Sequence, residues 1–159
     1  MKARLTVLLA ALAIAAIGAG CGDEDSGDSA EANGSLSKAE FVKQASSVCR
    51  QERKALAKDM SAYLERQRSK KLPEPVLIAN MFKAVFVPVV EAEMAGIRKL
   101  GAPAGDEQQI EAILVAEQGA IDKLERLKRA KSIGAFNDYF APADKKLRAY
   151  GLPVCAKGA

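Results

Sequence analysis

From Ser37 onward the apolar residues return every three or four positions in four long blocks, the spacing of one helix face. In the first block Phe41, Ala45, Val48, Cys49, Ala55, Leu56, Met60, Tyr63 and Leu64 fall on one stripe that nothing interrupts before Lys70-Lys71-Leu72-Pro73. Its start is marked by "LSKAEF": Ser37 at an N-cap, Glu40 three residues on to close a capping box, and Leu36 with Phe41 as a hydrophobic staple. The spacing predicts one helix of about 33 residues, ~50 Å long. A second opens at Pro75 and runs through Leu77, Ile78, Met81, Phe82, Val85, Phe86, Val89, Val90, Met94 and Ile97 to Leu100, where Gly101 and Pro103 stop it. Pro88 lies inside this run and removes a backbone bond, so a kink or a split into two shorter helices is expected there.

The third block starts at "GDEQQ", with Asp106 as cap and Gln109 closing the box, and carries Ile110, Ile113, Leu114, Ile121, Leu124 and Leu127 to about Ala130. The fourth begins between Ser132 and Ala135 and holds Phe136, Tyr139, Phe140, Leu147 and Tyr150, with a kink expected at Pro142 and Gly151 placed as the C′ residue. No strand pattern of useful length competes. Short connections force sequential neighbours to run opposite ways, so the fold class is all-α, an up-down antiparallel four-helix bundle over residues 36–159.

Ahead of the bundle the pattern changes twice. Lys2 and Arg4 precede an apolar run from Leu5 to Ile17, followed by Gly18-Ala19-Gly20, which reads as an export signal over residues 1–20. As a membrane span it is short, because the hydrocarbon takes about 20 apolar residues. Small residues followed by Cys21 resemble the lipobox of bacterial lipoproteins; that resemblance implies lipid on Cys21 and cleavage before it, although Gly18 stands where the pattern prefers leucine. The two acyl chains so implied suffice for stable anchoring. Ordinary secretion is the alternative. "GDEDSGDSAEANG" then carries five acids and no base and has little to bury, so residues 21–35 are expected to be a flexible spacer. Asp23-x-Asp25 begins like a calcium loop, but Asp28 and Gly34 stand where a glycine and a glutamate are needed.

Three cysteines are an odd number for an exported chain. With Cys21 lipidated, Cys49 and Cys155 are left to form a disulfide outside the cytoplasm. Counting along antiparallel helices sets residue 150 opposite residue 49, and the five residues on to Cys155 are enough to reach it. No Cys-x-x-Cys and no histidine are present, which removes imidazole zinc and haem sites, a His-based triad and a Glu-x-x-His di-iron set. Glu91 with Glu93 and Glu111 with Glu117 are two and six apart, so neither pair stacks on one helix face. No phosphate loop is found. No catalytic residue, metal or cofactor is assigned, an enzyme is not expected, and nucleic acid is an unsuitable partner for an exported protein.

Charge singles out one surface. Removing Lys2, Arg4 and the five spacer acids from the totals of 24 bases and 20 acids leaves 22 and 15, a net of +7 for residues 35–159. Arg66, Arg68, Lys70 and Lys71 close the first helix, and Lys123, Arg126, Lys128, Arg129 and Lys131 close the third. In an up-down bundle the two runs meet at the end away from the anchor. This basic cap is suited to an anionic wall polymer or an acidic protein; cations also simply complement helix C-termini. A second reading uses the i, i+4 pairs Phe82/Phe86 and Phe136/Phe140 as the lining of a pocket for a small apolar ligand, though such stripes are mostly core.

"LSKAEFVKQASSVC", "LGAPAGDE" and "AYGLPVC" resemble segments of small uncharacterised predicted lipoproteins of high-GC Gram-positive bacteria. The matching positions (Phe41, Cys49, Leu100, Pro103 to Glu107, Ala149 to Cys155) bracket nearly all of the helical region. They imply a disulfide-closed helical domain and carry over no catalytic residue; it is the lipid expected on Cys21 that would hold this domain at the outer face of the cytoplasmic membrane.

Overall fold

The computed structural model describes residues 35–157. The expected export signal, Cys21 and the acidic stretch as far as Gly34 lie outside the described residues. Within them the chain is helical and contains no strand: α1 Lys38–Arg53, α2 Leu56–Gln67, α3 Glu74–Met81, α4 Val87–Leu100, α5 Glu107–Arg126 and α6 Ala135–Tyr150, with short 3₁₀ turns at Arg68–Lys70 and Pro153–Cys155. The four expected helices are all present, two of them in modified form, and Cys49 is bonded to Cys155.

The start of α1 forms as its sequence dictates. Ser37 Oγ accepts from the Glu40 N–H at 3.3 Å, and Glu40 Oε2 accepts from the Ser37 N–H at 3.1 Å. The Ser37 hydroxyl also donates to Glu40 Oε2 at 2.7 Å, and this bond, with that from the Ser37 N–H, holds the Glu40 carboxyl below its ordinary range. The single 33-residue rod does not form. Lys54 N–H bonds back only three residues, to Gln51 O at 3.2 Å, and a turn at Lys54–Ala55 separates α1 from α2. Arg53, the last residue of α1, commits its guanidinium to groups on α4 and on the C-terminal tail, a long-range constraint that an unbroken apolar stripe does not reveal.

Ahead of Pro88 the second helix changes its winding, so that two α-helical segments, Glu74–Met81 and Val87–Leu100, are joined by a π turn. Glu74–Leu100 is continuous, but Phe82–Phe86 forms a π turn in which the Val87 N–H bonds to Phe82 O. The wider turn lies immediately before the proline, whose ring would otherwise crowd the carbonyl four residues back. By length and composition this 27-residue helix would suffice to cross a membrane, yet it is the central core helix, flanked by α1, α2 and α5. Pro142 lies inside α6 on its exposed side, where a lost backbone bond costs least, and α6 runs through it.

Asp106 stands at the N-cap of α5 but makes no side-chain cap bond. Its carboxylate accepts instead from Tyr150 Oη at 2.7 Å and lies 3.4 Å from Lys38 Nζ. α5 ends at Arg126, short of Ala130, because residues 127–134 leave the helix and the Ala130 N–H bonds to Pro75 O at 2.8 Å. Gly151 terminates α6 with φ +101°, the left-handed conformation that favours glycine, and the Leu152 N–H closes back on Leu147 O at 2.8 Å.

α1 packs on α4, α4 on α5, α5 on α6, and the Pro153–Cys155 turn on α1 and α6. The interior is built on Phe41, Met81, Phe82, Met94, Leu124, Phe140 and Leu147, all at or below 1% exposure. α1 packs tightly against α4 at Gly96, where an added Cβ would sit 2.5 Å from Val48 Cγ1.

Candidate functional site

The two basic runs are brought to the same end of the domain. Arg66, Arg68, Lys70 and Lys71 follow one another through the end of α2 and its 3₁₀ turn; Lys123 and Arg126 end α5; Lys128, Arg129 and Lys131 lie in the segment tied to α3 by the Ala130–Pro75 bond. All nine side chains are exposed. Among them Arg68 makes a contact at 3.7 Å to Glu65, itself an exposed i, i+3 neighbour, a pair that contributes little in water.

Beside these cations lie two surface grooves. One, of about 490 Å³, is lined by Leu64, Leu72 and Leu77 together with Ser61, Glu65, Gln67, Arg68 and Lys71. A second, of about 470 Å³, shares Leu64 and Leu77, continues over Ile78 and Met81, and is bounded by Lys131 and Ile133. Leu64 and Ile133 are 40% and 48% exposed, two of only four large apolar side chains so exposed among the described residues.

The aromatic pairs are mostly core, and only Phe86 and Phe136 border a pocket. Phe82 is fully buried and lies 5.4 Å from Phe136, centroid to centroid; Phe86 and Phe136 are 4.4 Å apart and Phe136 and Phe140 4.7 Å, so the four rings form one cluster of tilted and edge-on contacts in the core. At its edge a pocket of about 140 Å³ is lined by Leu56, Phe86, Val90 and Phe136 and by the charged Arg53 and Glu93.

Those two charges belong to a network that sequence reasoning missed. Glu93 from α4, Glu117 from α5 and Asp144 from α6 are buried together beside the tail. Arg53 donates through Nε to Glu93 Oε1 at 2.6 Å, through Nη1 to Val154 O at 2.8 Å and Ala156 O at 3.1 Å, and through Nη2 to Cys155 O. The Lys157 ammonium lies 2.8 Å from Glu93 Oε2, 2.8 Å from Glu117 Oε1 and 3.0 Å from Cys155 O, with its side chain only 5% exposed. Asp144 Oδ1 accepts from the Lys157 N–H at 2.7 Å. Burial pushes the Glu117 carboxyl above its ordinary range; Lys157 opposes the rise, and the charges of Glu93 and Asp144 add to it. No group of three His, Cys, Asp or Glu among the described residues is arranged to hold a metal ion.

The network fastens the C-terminal tail to the helices beside the Cys49–Cys155 bond, whose sulfurs are 2.04 Å apart and whose cysteines are buried. Its signal in the sequence is an acid where the stripe calls for an apolar residue. Glu93 lies between Val90 and Ile97, Glu117 between Leu114 and Ile121, and Asp144 between Phe140 and Leu147. Compared with known proteins, the chain matches no family model, no curated protein and no solved structure.

Proposed function

We propose that the protein is a lipid-anchored, extracytoplasmic binding or scaffolding module. In this reading residues 1–20 direct export, Cys21 carries the lipid at the outer face of the cytoplasmic membrane, and the acidic stretch spaces an up-down antiparallel bundle from the surface. The basic end then points away from the anchor and engages an anionic partner, a wall polymer or an acidic protein. One observation carries the reading: the Ala130–Pro75 bond ties the segment bearing Lys128, Arg129 and Lys131 to α3, and Lys131 lines the same groove as Leu64 of α2, so exposed cations from two separate parts of the chain come near one another. Such a concentration of one sign raises the local density of anionic partners and speeds encounter.

The test reverses charge at Arg126, Lys128 and Arg129 and follows retention of the protein in the cell wall fraction. Reduced retention with the lipid anchor intact is expected; unchanged retention sinks the reading. Intact mass before and after reduction tests the anchor separately. The expected result is a chain starting at Cys21, carrying a diacylglyceryl group and gaining two protons on reduction. Carriage of a small apolar ligand between Phe82 and Phe86 has less support, since those rings close on Phe136 and the adjacent pocket is small.

A further inference from the structure

We infer that the basic end is a docking groove for an acidic amphipathic polypeptide segment, one that sets apolar anchors on the groove floor and carboxylates against the cationic rim. The inference rests on the reading of that end as an anion-binding surface and adds the chemical class of the partner.

Three observations select a polypeptide. The two grooves share Leu64 and Leu77, so they adjoin, and apolar side chains lead from one into the other. Leu64, which lines both grooves, and Ile133, which lines the second, are exposed apolar groups of this end. Arg68, Lys71 and Lys131 edge the same grooves. A polyanion without apolar groups would use only the cations and leave Leu64 and Ile133 in water. A lipid surface is flat on this scale and matches a convex patch better than a recess. An amphipathic helix presents apolar side chains at i, i+3 or i+4 and i+7 with polar groups flanking them, which fits a greasy floor between charged walls. The two acids that border the grooves, Glu65 and Glu74, limit where a partner's carboxylates can lie and so favour one register.

The experiment uses the full-length chain captured in neutral phosphatidylcholine nanodiscs on a biosensor surface, with empty nanodiscs as reference. Four analytes are passed over it: an acidic helical peptide with leucines at i, i+4 and i+7, polyglutamate of the same charge, inorganic polyphosphate, and phosphatidylglycerol vesicles. The peptide is expected to bind most tightly, and Leu64→Asn with Ile133→Asn to weaken it about tenfold, while Val115→Asn, at an exposed apolar site on α5, leaves it unchanged. Thermal unfolding of each variant checks that its fold is kept. Equal binding of polyglutamate or polyphosphate, or insensitivity of the peptide to Leu64 and Ile133, overturns the polypeptide inference and leaves the anion-binding reading standing. Vesicle binding that depends on Leu64 and Ile133, without peptide binding, overturns it in favour of a lipid surface. Binding of no analyte overturns both.

Discussion

Replacing Lys157 by Met keeps the length and apolar stem of the side chain and removes one charge. In the folded domain that ammonium stands between Glu93 and Glu117, 2.8 Å from each, on a side chain 5% exposed; the carboxylate-bearing side chains are 1% and 4% exposed. Removing one partner of a buried pair costs about 3 to 5 kcal/mol, because the charge left behind has neither water nor counter-ion. Here two carboxylates are left, and only Glu93 keeps another cation, Arg53. For a domain of this size each kcal/mol moves the midpoint by roughly 4 °C, so a fall of about 12 to 20 °C is expected in thermal unfolding. The loss should also depend on pH. Without Lys157 the Glu117 carboxyl is pushed still higher, the folded state takes up a proton more readily than the unfolded chain, and the deficit shrinks as pH is lowered. Urea unfolding at neutral and acid pH measures both effects. A Lys157→Met variant within about 0.5 kcal/mol of the parent at neutral pH would refute the claim that this ammonium holds the two acids inside, since surface substitutions fall in that range.

Other parts of the structure give sharper single measurements. Glu117→Gln should flatten stability above the ordinary carboxylate range: a raised folded pKa means the native state binds the extra proton, so in the parent this group's contribution declines as pH rises through that window. Urea midpoints that follow the same pH course in both proteins would contradict this. Opening the 106-residue separation closed by Cys49–Cys155, through paired alanine substitutions, should cost about 4 to 5 kcal/mol on the chain-entropy account; a change under about 1 kcal/mol in guanidinium unfolding would contradict it. Gly96→Ala should destabilise by about 1 to 2 kcal/mol despite alanine's better helix propensity, through the clash with Val48, and Val48→Ala should reverse the loss. If the double variant is as unstable as Gly96→Ala alone, the contact is not the cause.

The elements that local chemistry controls were legible in the chain. Ser37 with Glu40, and Gly151 with Leu152, mark helix ends through bonds made within six residues, and both formed as expected. Cys49 and Cys155 were legible for a different reason, since cysteine number and the count along the helices constrain the pairing before any contact is known. What escaped depends on partners distant in sequence. The turn at Lys54–Ala55 accompanies an Arg53 held by residues 93 and 154–156, and Asp106 gave up its cap for Tyr150, 44 residues away. Donation to Asp106 adds to burial in raising the Tyr150 hydroxyl pKa. The acids at 93, 117 and 144 were visible as interruptions of the stripes, but periodicity cannot say that three interruptions on three helices meet. The nine cations were legible as two runs, whereas the second groove, with Ile133 beside Leu64, Leu77 and Met81, arises only when the 127–134 segment folds onto α3.

The covalent bond between Cys49 and Cys155 also sets how the domain behaves as a mechanical element. A pull applied to the two ends of the described chain cannot draw out anything between those cysteines, because the backbone there is bypassed by the bond. Only residues 35–48 and 156–157 can lengthen, and at 3.3 to 3.6 Å per residue their full extended length is about 55 Å, part of which α1 already spans, against several hundred for the same chain with the bond reduced. Under tension the first turns of α1 would give way and the remainder would hold as a knot of fixed size, so a load passed through this domain meets a short tether and then a hard stop.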